Sequence, residues 1–79
     1  MRELIIELIS KQMTVSPTIS DDEDLFLAGL NSIKFIHLIV DLELKFDMEV
    51  SDNDLTFETF STIQKIMQYV HLKSPISKK

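Results

Sequence analysis

Apolar residues recur along this chain at helical intervals. Over residues 2–14, Leu4, Ile5, Leu8, Ile9 and Met13 fall on one side of a helix turning about 100° per residue, with Glu3, Glu7, Lys11 and Gln12 off that stripe. A second helix is predicted from Ser32 to Lys45, where Phe35, Leu38, Ile39, Leu42 and Phe46 share a face. The segment SDNDL at 51–55 predicts a short third helix with Ser51 as its N-cap and acidic residues in its first turn. Ser61 and Gln64 have capping-box spacing and open a last helix over about 62–72, with the stripe Ile63, Ile66, Met67 and Val70. No run alternates with the period of a strand.

Between the first two helices lies a long connection, residues 15–31. It holds Pro17, Ser20, the acidic run Asp21-Asp22-Glu23-Asp24 and then LFLAGLN. A connection of this length in a small domain is either functional or pinned by its own side chains. Leu25, Phe26, Leu27 and Leu30 are the expected pins. The pattern predicts an all-α fold: a small four-helix bundle with a short third helix and a long loop between helices one and two. The folded domain spans 1–72, and the basic stretch 73–79, broken by Pro75, is expected to fray.

The second helix carries one apolar stripe too many. Ile33, Ile36, Val40 and Leu44 lie nearly opposite the first set, with Lys34, His37, Asp41, Glu43 and Lys45 between the two. A helix apolar on opposite sides is either sandwiched in a large core or open to a partner on one side. This chain has too few helices to sandwich it. Ile33, Ile36 and Val40 are therefore expected to face a partner, while Leu44 is the member expected to be covered.

Size and composition narrow the function. A chain of 79 residues is one small domain and cannot spare side chains for a deep catalytic cleft. With 44% hydrophobic and 27% charged residues it is globular in composition. A net charge of −5 argues against nucleic-acid binding, which needs clustered Lys and Arg. The absence of cysteine removes thiolate metal sites and any nucleophilic thiol of the chain's own. No metal site is expected, since the acidic runs lack the glycine and spacing of a calcium loop. His37 and His71 lie on different helices without a nucleophile arrangement, so no enzyme is expected. Glu3 and Glu7 interrupt the apolar start, which is neither a secretory core nor a membrane span. A free-standing cytoplasmic protein, monomeric and bound to neither membrane nor nucleic acid, is the expectation.

One residue carries the chemical interest. Ser32 opens the second helix, a place where serine usually does no more than cap. Here Asn31 can cap instead, which leaves the Ser32 hydroxyl uncommitted. Helix N-termini favour anions through free N–H groups and the positive end of the helix dipole, so a phosphodiester built on Ser32 would be well placed.

The string DLFLAGLNSIKFIHLIVDLELKFDMEV resembles the acyl carrier and peptidyl carrier proteins, with their acidic loop, Gly-Leu-Asp-Ser-Leu-like turn, long helix and Glu/Phe/Asp-rich exit. TFETFSTIQKIMQYV is similar to that family's entry into its last helix, and the resemblance spans about residues 3–70. It implies that Ser32 matches the serine to which a transferase attaches 4′-phosphopantetheine from coenzyme A. Gly29, Leu30 and Asn31 match the turn presenting it. Ile33, Ile36 and Val40, with Lys34 and His37 beside them, match the surface read by partner enzymes. The implied function is a non-catalytic phosphoprotein holding acyl or aminoacyl groups as thioesters. The implied partners are a phosphopantetheinyl transferase, an adenylating or acyl-transferring enzyme that loads the arm, and downstream synthase or condensing enzymes.

Three residues depart from the pattern. Asn31 replaces the usual aspartate, and Lys34 and His37 stand where fatty-acid carriers often place acidic residues. This favours a stand-alone carrier in nonribosomal peptide, polyketide or related secondary metabolism over fatty-acid synthesis. The rival reading is an unmodified helical interaction module, which shares the exposed patch and differs at Ser32.

Overall fold

The apolar stripes become helices close to where periodicity puts them. A computed structural model describes residues 2–16 and 18–74. It contains α1 (Arg2–Ser10), a four-residue α2 (Leu25–Ala28), α3 (Ser32–Phe46), a 3₁₀ turn (Asp52–Asp54) and α4 (Ile63–Lys73). Among the described residues there is no strand. The fold is an all-α bundle in which α1 packs against both α3 and α4.

The core stripe of α3 is buried in full: Phe35, Leu38, Ile39, Leu42 and Phe46 meet Ile5, Leu8 and Ile9 of α1 and Ile63, Ile66 and Val70 of α4. Phe60 and Tyr69 join them, as do Ile19, Met48 and Val50 from the connections. The molecule is 19 Å across its shortest axis, roughly two helix diameters, and among the described residues one side of α3 is left exposed.

Several boundaries differ from those expected. Helix α1 stops at Ser10, and the amides of Lys11 and Gln12 then bond three residues back, to Leu8 and Ile9, as the chain tightens toward Thr14 and Val15. The first helix is thus shorter than 2–14. Helix α4 is capped by Thr62, whose hydroxyl accepts from the Lys65 amide at 3.1 Å. Ser61 is not the cap. Its carbonyl accepts from the Leu25 amide at 2.8 Å and its hydroxyl donates to the Glu58 carbonyl, tying the long loop to α4. The segment after Ser51 is a 3₁₀ turn and not an α-helix, and the Ser51 hydroxyl bonds Asp54 without capping a backbone amide. Lys73 closes α4, and the Ser74 hydroxyl, fully buried, donates to the Phe46 carbonyl at 2.5 Å. Residues 75–79 of the expected tail lie outside the described residues.

The long loop is pinned, though not by all four expected side chains. Leu25 and Leu30 are buried and Phe26 is half-buried, whereas Leu27 is 87% exposed. Backbone bonds supply the remaining fixation. Gln64 donates its amide to the Asp21 carbonyl at 2.9 Å, and Arg2 pairs with the Asp21 carboxylate while donating to the Ile19 carbonyl at 2.8 Å. A bond satisfied by a distant backbone group holds a loop without any apolar side chain.

Candidate functional site

The approach to α3 is assembled from three consecutive local devices. Asp24 caps α2, accepting from the amides of Phe26 at 2.9 Å and Leu27 at 3.3 Å. Gly29 then turns the chain with φ +134°. A Cβ there would meet only Met13 Cε at 3.7 Å, an ordinary contact, so the backbone angle and not the space selects glycine. Leu30 sends its side chain into the core and donates its amide to the Leu25 carbonyl at 3.0 Å. Its role is therefore to anchor the turn.

Asn31 is extended and acts as the N-cap of α3, its side-chain oxygen accepting from the Lys34 amide at 2.9 Å. Its carbonyl accepts the first helical bond, from the Phe35 amide at 2.7 Å. That commitment leaves the next residue free. Ser32 is exposed, and its hydroxyl makes no hydrogen bond within the described residues. The first-turn amides of Ser32 and Ile33 have no acceptor inside the helix and point outward with the positive end of the dipole. An uncommitted hydroxyl beside free N–H donors fits a phosphodiester.

Next to Ser32 the second stripe of α3 faces water: Ile33 is 71% exposed, Ile36 and Val40 are each 46% exposed, and Leu44 is 77% exposed. Leu44 was the residue expected to be covered, and it is not. Leu44 instead lies on the rim of an open surface hollow with Leu8, Lys11, Asp41 and Lys45. His37 is exposed beside the strip and Lys34 is half-buried.

The charges divide by what they already hold. Asp21 pairs with Arg2, Asp24 caps α2, and Glu43 accepts from the Val50 amide at 2.9 Å. Asp22 and Glu23 are exposed, with Asp22 accepting from the Ser20 hydroxyl. Fewer acidic side chains are available to steer a partner than the sequence offers.

Behind the first turn of α3 stands an aromatic group that the apolar periodicity did not reveal. Phe35 packs against Phe26, Phe57 and Phe60, with ring centroids 5.6, 5.2 and 5.9 Å away. Phe26 and Phe57 are 4.4 Å apart, and Phe60 continues to Tyr69 at 5.0 Å. Phe57 and Phe60 sit in turns outside any stripe. Their one signal was the i, i+3 spacing of two phenylalanines in TFETF just ahead of a capped helix.

Comparison with known proteins now bears on this geometry. Residues 3–70 match the family described as "Phosphopantetheine attachment site". The chain belongs to that family. It is 40% identical over 55 residues to an aminoacyl carrier protein of Agrobacterium fabrum, covering 70% of this chain and 66% of the relative. It is 36% identical over 69 residues to a D-alanyl carrier protein of Streptococcus pyogenes, covering 86% of this chain and 87% of that one. The chain thus spans just under two thirds of the first relative and most of the second. Among solved structures it superposes with a TM-score of 0.81, at 36% identity, on a chain from an engineered Bradyrhizobium japonicum glycine:[carrier protein] ligase complexed with a carrier protein from Agrobacterium tumefaciens and AMP. The match covers 89% of this chain and 97% of that one. This member of the phosphopantetheine-attachment family is a carrier protein, and its prosthetic group is a covalently held 4′-phosphopantetheine.

Proposed function

We propose that Ser32 is the attachment point of that group and that the protein presents aminoacyl thioesters to partner enzymes while catalysing nothing itself. The observation that carries the reading is the division of labour at the mouth of α3, where Asn31 caps and Ser32 stays free. Transfer from coenzyme A makes a bond from Ser32 Oγ to phosphorus and breaks the coenzyme's pyrophosphate linkage; adenosine 3′,5′-bisphosphate leaves, and the hydroxyl proton passes to a base of the transferase. The group supplies a thiol, which a chain without cysteine lacks. The chain's own residues orient the attachment point: Gly29 and Leu30 set the turn, Asn31 fixes the helix start, and the first-turn amides favour the negative phosphodiester.

An amino acid is the proposed load. Both curated relatives are named for aminoacyl groups, and the solved complex pairs a carrier with a glycine ligase and AMP. The proposed loading partner is accordingly an adenylating ligase that docks on Ile33, Ile36 and Val40, with Lys34 and His37 at the margin. Docking of this kind is weak, because a carrier must leave each enzyme in turn, and the tether holds the thiol at roughly millimolar effective concentration once an enzyme is engaged. Such a protein works where coenzyme A and adenylates are present, in the cytoplasm.

The test is direct. Incubation with coenzyme A, magnesium and a broad-specificity phosphopantetheinyl transferase should add the mass of one phosphopantetheine to the wild type and nothing to Ser32→Ala. Folded wild-type protein that gains no mass from an active transferase would make it an unmodified interaction module.

A further inference from the structure

Tyr69 lies on α4, away from Ser32, yet it is joined to the first turn of α3 by two separate routes. Its hydroxyl donates to Asp54 Oδ2 at 2.9 Å, and the same oxygen accepts from the Ser51 hydroxyl at 2.9 Å. Its ring meets Phe60, which meets Phe35. Both ends of the 51–60 connection are therefore fastened to one side chain. Between them sits Phe57, 48% exposed and outside any helix, closing over Phe26 and Phe35. Phe35 follows Ser32 by three residues, so the two occupy adjacent turns on neighbouring faces of α3.

We infer that Tyr69 is a positioning residue for Ser32, holding the 51–57 segment through Asp54 so that Phe57 and Phe35 fix the helix start that partners must recognise. The inference rests on Ser32 being the attachment point. Phe57 is a half-exposed aromatic on an irregular segment: its ring meets the rings of Phe26 and Phe35, and its carbonyl accepts from the Phe60 amide at 3.2 Å, so its placement follows that of the segment. The Asp54 carboxyl is held below its ordinary range by the Ser51 and Tyr69 hydroxyls, which agrees with an ionised acceptor at the centre of this fastening. Lys73, 5.8 Å from the Tyr69 ring centre, adds a cation on the same side.

Tyr69→Phe keeps the ring and its packing on Phe60 and removes only the hydroxyl, so it should fold. Released from Asp54, the 51–57 segment samples arrangements a partner does not accept, and the apparent Michaelis constant rises in inverse proportion to the competent fraction. Transferase kinetics should show KM for the carrier raised about threefold to tenfold with kcat within about twofold. Asp54→Ala should do the same, the double variant should be no worse than either single one, and Asp54→Asn, which retains an acceptor, should restore most of the loss. Independently of any modification, proton NMR should show the Phe57 ring contacts to Phe26 and Phe35 weakened in Tyr69→Phe. Wild-type KM together with unchanged Phe57 contacts overturns the inference. If the wild type is not modified at all, the attachment reading fails, and with it the role assigned to Tyr69, whatever the ring contacts show.

Discussion

The two faces of α3 are nearly equal in apolar content and opposite in fate. One carries Phe35, Leu38, Ile39, Leu42 and Phe46, each almost wholly removed from water, and the other carries Ile33, Ile36, Val40 and Leu44, each at least half as exposed as it could be or close to it. Residue type does not separate them, since isoleucine and leucine occur on both. What separates them is supply: among the described residues α1 and α4 are the only long helices besides α3, and the buried residues of both meet its core stripe. An apolar strip left open costs solubility, so it persists where a partner uses it. The lesson is that in a bundle this small, counting the helices that could cover a stripe says more than the stripe's own hydrophobicity.

Substitutions on the two faces should differ most in stability. Leu38, fully buried, meets α3's neighbours at the centre of the core. Leu38→Ala should cost about 2–5 kcal/mol through lost transfer energy and the cavity left behind. Denaturant titration would show the midpoint falling with an unchanged slope. A loss below about 1 kcal/mol would mean that the buried face is looser than its exposure indicates.

The cap joins the two faces, and its removal should have an intermediate effect. Asn31→Ala deletes the acceptor for the Lys34 amide and should cost about 1 kcal/mol. Asn31→Asp should be close to neutral, because asparagine and aspartate cap equally well. Both variants should still be modified at Ser32, since neither touches its hydroxyl. If Asn31→Ala leaves stability unchanged, Ser32 has taken over as the cap, and the separation of roles at the helix mouth is not as drawn.

On the exposed face the effect on folding should be smaller again, while the effect on function is larger. Ile36→Asp should leave stability within about 0.5 kcal/mol of wild type. Transfer of phosphopantetheine to it should nonetheless slow, with KM for the carrier raised. Marked unfolding would show that Ile36 is packed after all.

How much of this was legible depended on range. Helix α3 was read to within one residue, because its burial repeats every three to four positions and each repeat is a separate vote. The free hydroxyl of Ser32 was legible because its competitor for the cap is the preceding residue. Leu27 was misjudged because a four-residue helix presents no repeat to average over. Ser61 lost the cap to Thr62 because its carbonyl is engaged by Leu25, thirty-six positions earlier, and no local pattern records that bond. The aromatic group behind Ser32 was hidden for the same reason: Phe26, Phe35 and the pair Phe57 and Phe60 come from three separate segments, and the TFETF spacing alone does not say what the pair packs on.

The smallest expected effect is electrostatic and arises where Asp54 is fastened to Ser51 and Tyr69. The hydroxyls of Ser51 and Tyr69 depress the Asp54 pKa below its ordinary 3.8, so the folded state binds the proton more weakly than the unfolded chain does. The stabilisation from this carboxylate is therefore complete above about pH 4 and disappears as pH falls through the lower folded value. Tyr69 moves the other way: burial, aided by the bond to Asp54, raises it above 10.0, so its contribution holds below pH 10 and is lost as pH climbs through the folded value. Comparing wild type with Asp54→Asn isolates the first limb, since asparagine keeps an acceptor oxygen and loses the titration. The stability difference between them should be flat at neutral pH and narrow below pH 4. A difference that stays level as the pH falls well below 4 would mean that the Ser51 and Tyr69 hydroxyls do not stabilise the charged carboxylate, and the fastening at Asp54 would not be as drawn.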